Sequence, residues 1–125
     1  MNLNWSNYPN FERIEFECNC GCGRADMDPA FMQRIQKMRN YVGPMKITSG
    51  FRCENHSEEK KKIRGGAHSI GHAADIQYSS ARQLAAMLGV AENWGFKGIG
   101  VSGSFLHLDD DHPYLDRSNC IAWGY

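Results

Sequence analysis

The chain has no surplus of either charge: 14 Lys and Arg balance 14 Asp and Glu over 125 residues. That balance excludes a strong global pull towards nucleic acid or an anionic membrane surface. No stretch approaches the roughly 18 consecutive apolar residues that read as a membrane span. Met1-Asn2-Leu3-Asn4-Trp5-Ser6-Asn7 lacks the basic start and apolar core of a secretion signal. Synthesis in the cytoplasm is therefore expected, and an extracellular task needs another route out. Repeats, linkers and low-complexity tracts are also missing, so 1–125 is expected to be one domain burying a modest core.

Cysteine is present in an odd number, five. Without a signal, that count argues against a disulfide framework. Cys18, Cys20 and Cys22 form a Cys-x-Cys-x-Cys cluster punctuated by Gly21 and Gly23, while Cys53 and Cys120 lie apart from it. The spacing departs from the Cys-x2-Cys knuckle of structural zinc sites. The cluster reads as a tight, partly buried turn of reduced thiols, with one disulfide open to it under oxidising conditions.

Asp28-Pro29 is a helix start, with Asp28 as cap and Pro29 in the first turn. Phe31, Ile35, Met38 and Val42 then recur at helical spacing until Gly43-Pro44. A short strand is expected over 45–51, with Arg52 just beyond it. Residues 54–64, centred on Glu58-Glu59-Lys60-Lys61-Lys62, read as a solvated loop or helical turn of mixed charge. Ala73 to Tyr78 reads as a strand, and Ser79-Ser80 caps a second helix with Leu84, Leu88 and Ala91 as its inward stripe, widened by Met87 and Trp94. A hairpin around Ser102-Gly103 follows, joining 98–101 to 104–109. The N-terminal aromatics, with Ile14, read as an extended cover over the core, and the tail from Pro113 as irregular. This order predicts an α+β domain with a small, mostly antiparallel sheet carrying helices on one face.

The stretch that organises the rest is Gly65-Gly66-Ala67-His68-Ser69-Ile70-Gly71-His72-Ala73-Ala74-Asp75-Ile76. Alternation along a strand puts Asp75 on the face of Ala73 and Gln77, away from Ala74 and Ile76. His68, on the loop feeding that strand, can meet Asp75 at one metal ion if a third ligand arrives from a neighbouring strand. In the hairpin, Phe105, His107 and Asp109 share a face, and His107 completes two histidines and one carboxylate. Three protein ligands plus water is the pattern of catalytic zinc. His72 and His112 are the competing ligands; if His112 is the third, His107 becomes the catalytic imidazole. The acidic run Asp109 to Asp111 lacks the spaced oxygens of a calcium loop.

These residues resemble the zinc peptidases of the D-Ala-D-Ala carboxypeptidase type, which cut the peptide part of bacterial peptidoglycan and share a site plan with lysostaphin-type endopeptidases and the Hedgehog signalling domain. The signature Ser-x-His-x-x-Gly-x-Ala-x-Asp maps onto 66–75 in every position but the first, where Gly66 stands for serine. Ser49-Gly50-Phe51-Arg52, Gly98-Ile99-Gly100, Phe105-x-His107-x-Asp109 and Trp123-Gly124-Tyr125 carry the likeness across nearly the whole chain. The resemblance implies His68, Asp75 and His107 as ligands of one Zn2+, and Arg52 as the group that binds a substrate carboxylate. Asp109 is the expected acid–base group or hydrogen-bond partner of a ligand. Some branches carry a glutamate three residues before the last histidine ligand; Ser104 stands there in this chain.

The function expected is thus a zinc metallopeptidase acting on peptidoglycan stem peptides or cross-links, as a D,D-carboxypeptidase or an endopeptidase. The alternative is a catalytically silent zinc module of Hedgehog-like or phage-virion type. A third reading is a thiol-based zinc or redox module centred on Cys18, Cys20 and Cys22. A monomer is expected, released on lysis or carried on a phage particle by analogy with the resembling proteins.

Overall fold

A computed structural model describes residues 3–59, 66–110 and 119–125. Asp28 accepts a hydrogen bond from the Phe31 amide at 2.9 Å and Pro29 opens the first turn, so helix α1 runs Pro29–Val42 as the cap signal predicts. Its inward line is Phe31, Met32, Ile35 and Met38. Ser80 caps helix α2, Ala81–Ala91. Here the expected stripe is rotated: Gln83, Met87 and Ala91 are buried, while Leu84 is half-buried and Leu88 is 39% exposed. The reason is Gln83, whose amide accepts from the Ser79 N–H at 2.8 Å and donates to the Pro44 carbonyl at 2.8 Å. Those bonds fix the helix start against the end of α1 and turn the leucines towards the rim.

Five strands form one sheet: β1 Lys46–Ser49, β2 Ala73–Gln77, β3 Gly98–Val101, β4 Leu106–Asp109 and β5 Ile121–Gly124, in the order β1-β2-β4-β3-β5. Neighbours are antiparallel except β3 and β5, which run parallel. The tail expected to be irregular therefore supplies an edge strand. Its neighbour β3 is parallel to it, and a parallel pair is not joined by the hairpin turn that announces an antiparallel one.

One face of the sheet is apolar. Ala74, Ile76, Leu106 and Leu108 are fully buried in a cluster with Phe31, Ile35, Met38 and Met87 of the helices, so the helices lie on that face. The N-terminal segment covers the core through Tyr8, Phe11 and Phe16, but as two 3₁₀ turns, Trp5–Asn7 and Arg13–Phe16, rather than extended. Ile14 is 70% exposed and plays no part in that cover. The other face of the central strands carries the polar residues.

Candidate active site

Antiparallel register places Asp75 of β2 directly opposite His107 of β4, and Ala73 opposite Asp109. Alternation then aims Asp75, His107 and Asp109 away from the helices, with Ala73 leaving space beside them. His68 arrives on the 3₁₀ turn Ala67–Ile70. That turn ends on Gly71 at φ +78°, and an added side chain there would strike the backbone of residues 26–28. The stretch after β1 runs along the same turn: the Arg52 amide donates to the His68 carbonyl at 3.1 Å, and His68 Nδ1 lies 2.7 Å from the Gly50 carbonyl.

His68, Asp75 and His107 meet, all three buried. Asp75 Oδ1 lies 3.3 Å from His68 Nε2 and 3.0 Å from His107 Nδ1. Each offers one ligand atom, and the three atoms lie within 4.8 Å of one another. The far nitrogen of each ring is committed elsewhere. A carbonyl only accepts, so neutral His68 carries its proton on Nδ1 and turns the Nε2 lone pair to Asp75. Asp109 Oδ2 lies 2.7 Å from His107 Nε2, so neutral His107 donates there and turns its Nδ1 lone pair to the same carboxylate. Two nitrogen lone pairs and an ionised carboxylate facing one point fit a divalent cation with nitrogen and oxygen preferences, zinc foremost.

Protonation follows the same network. Burial pushes the His68 imidazole down, against the hydrogen bond its charged form would donate to Asp75. Burial also acts to lower His107, but the hydrogen bonds that the charged ring donates to Asp109 and then Asp75 outweigh it, so its pKa rises, and Nδ1 presents a lone pair only once its proton has left. For Asp75, burial opposes ionisation, yet the bonds to His107 and His68 hold its carboxyl well below the usual carboxylate range.

Arg52 reaches the same place. Its Nε donates to Ser49 Oγ at 3.1 Å, and its Nη2 lies 3.4 Å from Asp75 Oδ2. On its other side Nη1 is 3.8 Å from Glu59 Oε2. Glu59 corrects the reading of 54–64 as solvated: it is 4% exposed, and its Oε1 accepts from the Gly66 amide at 3.0 Å. That bond ties the loop to the signature position where serine is replaced, through backbone rather than a hydroxyl. Residues 60–64 lie outside the described ones.

Trp123 was also missing from the expected site. Its ring centroid lies 5.4 Å from that of His107, at 45°. It rests on β3, where a side chain at Gly100 would come within 2.7 Å of the indole and one at Gly98 would overlap the Asp109 carboxylate. The Gly98-x-Gly100 alternation was the available signal, since glycine inside a strand marks a close approach. A cavity of 350 Å³ opens here, lined among others by Arg52, His68, Asp75, His107, Trp123 and Tyr125.

His72 is not brought to this group. Its Nδ1 lies 2.6 Å from Asp110 Oδ1 and its Nε2 3.7 Å from Asp28 Oδ1, forming a separate cluster. His112 lies outside the described residues. The family model described as Peptidase M15 matches residues 9–109, a span that holds both helices, His68, Asp75, His107 and Asp109. A search of curated proteins finds no match to the chain.

Proposed function

The chain belongs to the peptidase M15 family, and from that premise we propose that it is a zinc metallopeptidase, one domain over 1–125, that hydrolyses peptide bonds in peptidoglycan stem peptides or cross-links. The observation that carries this reading is the convergence of His68 Nε2, Asp75 Oδ1 and His107 Nδ1 at the cavity, with the other ring nitrogen of each histidine held by Gly50 or Asp109. These three residues would hold one Zn2+, which when bound supplies a water of lowered pKa and polarises a carbonyl.

The remaining roles belong to the chain itself. Asp109 is expected either to move the proton or to brace a ligand, and its 2.7 Å bond to His107 supports the bracing role: it keeps the proton on Nε2 and makes the Nδ1 lone pair a better metal ligand. Arg52 is positioned to clasp a substrate carboxylate, with Ser49 and Glu59 holding the guanidinium in place. Trp123 and Tyr125 form an aromatic wall against which the alkyl part of a stem peptide can lie. Stem peptides offer such carboxylates both at a terminal D-alanine and along the chain, so the two outcomes, D,D-carboxypeptidase and endopeptidase, use the same clasp. No helix among the described residues is long and apolar enough to cross a membrane. The proposal is completed by a monomer that meets the wall after lysis or on a phage particle.

Mass spectrometry of purified peptidoglycan fragments tests this reading, with His68→Ala and a chelated sample alongside. Loss of one terminal D-alanine identifies a carboxypeptidase, and a split stem or cross-link an endopeptidase. Fragments left intact by a protein that binds zinc stoichiometrically would instead favour the silent zinc module.

A further inference from the structure

A second cluster is built on the residue that follows Arg52 in the chain. Cys53 comes from the segment that follows β1, and it meets Cys18, Cys20 and Cys22 of the Cys-x-Cys-x-Cys turn; their four sulfurs all lie within 4.8 Å of one another. Cys53 Sγ is 3.7 Å from Cys18 Sγ and 3.2 Å from Cys20 Sγ. Four thiolates around one zinc at about 2.3 Å stand roughly 3.8 Å apart along each tetrahedral edge, so the observed spacing brackets what the ion requires.

The backbone is also arranged for sulfur that carries charge. The Cys53 amide donates to Cys18 Sγ at 3.3 Å, and the Arg24 amide approaches Cys22 Sγ at 3.5 Å. Gly21 at φ +90° and Gly23 at φ +77° supply the left-handed turns that curl three alternate cysteines towards one point. The loop is closed at its base by the Cys18 amide on the Arg24 carbonyl at 2.8 Å. The spacing Cys-x-Cys alone does not resemble a zinc knuckle; the missing piece is Cys53, which the fold supplies from 35 residues away.

We propose that Cys18, Cys20, Cys22 and Cys53 form a structural tetrathiolate site for a second zinc ion. Binding releases the thiol protons and leaves a closed, four-ligand centre with no open position for substrate. Its effect on the rest of the molecule runs through residues 50–53. Gly50 holds His68 by its carbonyl, Arg52 faces Asp75, and Cys53 is pinned in the cluster. The ion thus anchors the N-terminal segment to the strand extension that positions the peptidase site. A site of this kind binds its ion whether or not the histidine cluster hydrolyses peptides.

Metal content and thiol reactivity decide it, measured on the full chain purified under reducing conditions with zinc supplied. Two zinc ions per chain are expected, and one in His68→Ala/His107→Ala. Cobalt exchanged into that double variant should give the intense visible bands and sulfur-to-metal charge transfer of tetrahedral thiolate coordination. In the zinc-loaded chain one thiol, Cys120, should react with a thiol reagent, rising to five after chelation. Cys20→Ser/Cys22→Ser, with the histidines intact, should lose most of the thiolate charge-transfer intensity while metal at the histidine site remains. A double variant devoid of metal, or five reactive thiols in the zinc-saturated protein, would overturn the proposal. So would a Cys20–Cys53 disulfide in protein kept with zinc and reductant.

Discussion

Two clusters in this molecule gather imidazoles and carboxylates, and they differ in how closely an arginine already holds one of the carboxylates. His68, Asp75 and His107 form one; Asp28, His72 and Asp110 form the other, only four residues away along the chain at His72. In the second, Arg34 already supplies the positive charge, its Nη1 2.6 Å from Asp110 Oδ2. Asp28 in that cluster is also engaged as the cap of α1. In the first, Arg52 stands farther off, its Nη2 3.4 Å from Asp75 Oδ2, and the outer nitrogens of both histidines are held by a carbonyl and a carboxylate, so in the neutral rings two lone pairs turn to Asp75 Oδ1. The residue types overlap; what each side chain's second polar atom touches separates the proposed metal site from the ion pair.

The largest expected effect lies in the first cluster. His68→Ala or His107→Ala should cut hydrolysis by about 10³-fold or more, since a bound metal is worth several kcal/mol to the transition state. His72→Ala should leave kcat within about twofold of the parent in the same assay. Equal losses in the two would erase the distinction. Next come the bracing carboxylates: Asp109→Asn should lower zinc affinity or activity about 10–100-fold, read by metal competition. Asp110→Asn should leave zinc affinity alone and instead cost about 1–3 kcal/mol of stability in denaturant unfolding.

Arg52→Lys sharpens the account of the substrate side. Loss of the planar fork should raise KM about tenfold on a carboxylate-bearing fragment, with a smaller change in kcat. The smallest effect is a pH dependence in the second cluster. The hydrogen bond to Asp110 raises the His72 pKa against the pull of burial. Its pairing therefore stabilises the fold fully below the unfolded value near 6.5, and the gain is lost as pH rises through the higher folded value. The Tm gap between the parent and His72→Gln should narrow between about pH 5.5 and pH 8.5. A gap that widens would reverse the sign of this coupling.

Much of the fold was legible because its signals are local. Asp28-Pro29 marks a helix start, and the hairpin strands flank Ser102-Gly103, where the Ser102 hydroxyl accepts from the Ser104 and Phe105 amides. The alternation that put Asp75, His107 and Asp109 on one face needed only the period of a strand. What escaped depends on partners distant in sequence. Gln83 turns α2 by bonding to Pro44, β5 pairs with β3 across a crossover, and Glu59 is buried by meeting Arg52 and Gly66. None of these leaves a trace in local periodicity. Cys53 belongs with them: one cysteine beside an arginine means little until the sheet brings it to three others.

Anomalous diffraction at the zinc edge, from crystals of the zinc-loaded chain, tests the central contrast most directly. A peak is expected bounded by His68 Nε2, Asp75 and His107 Nδ1, and none between Asp28, His72 and Asp110. A peak at His72, or none at His68, would contradict it.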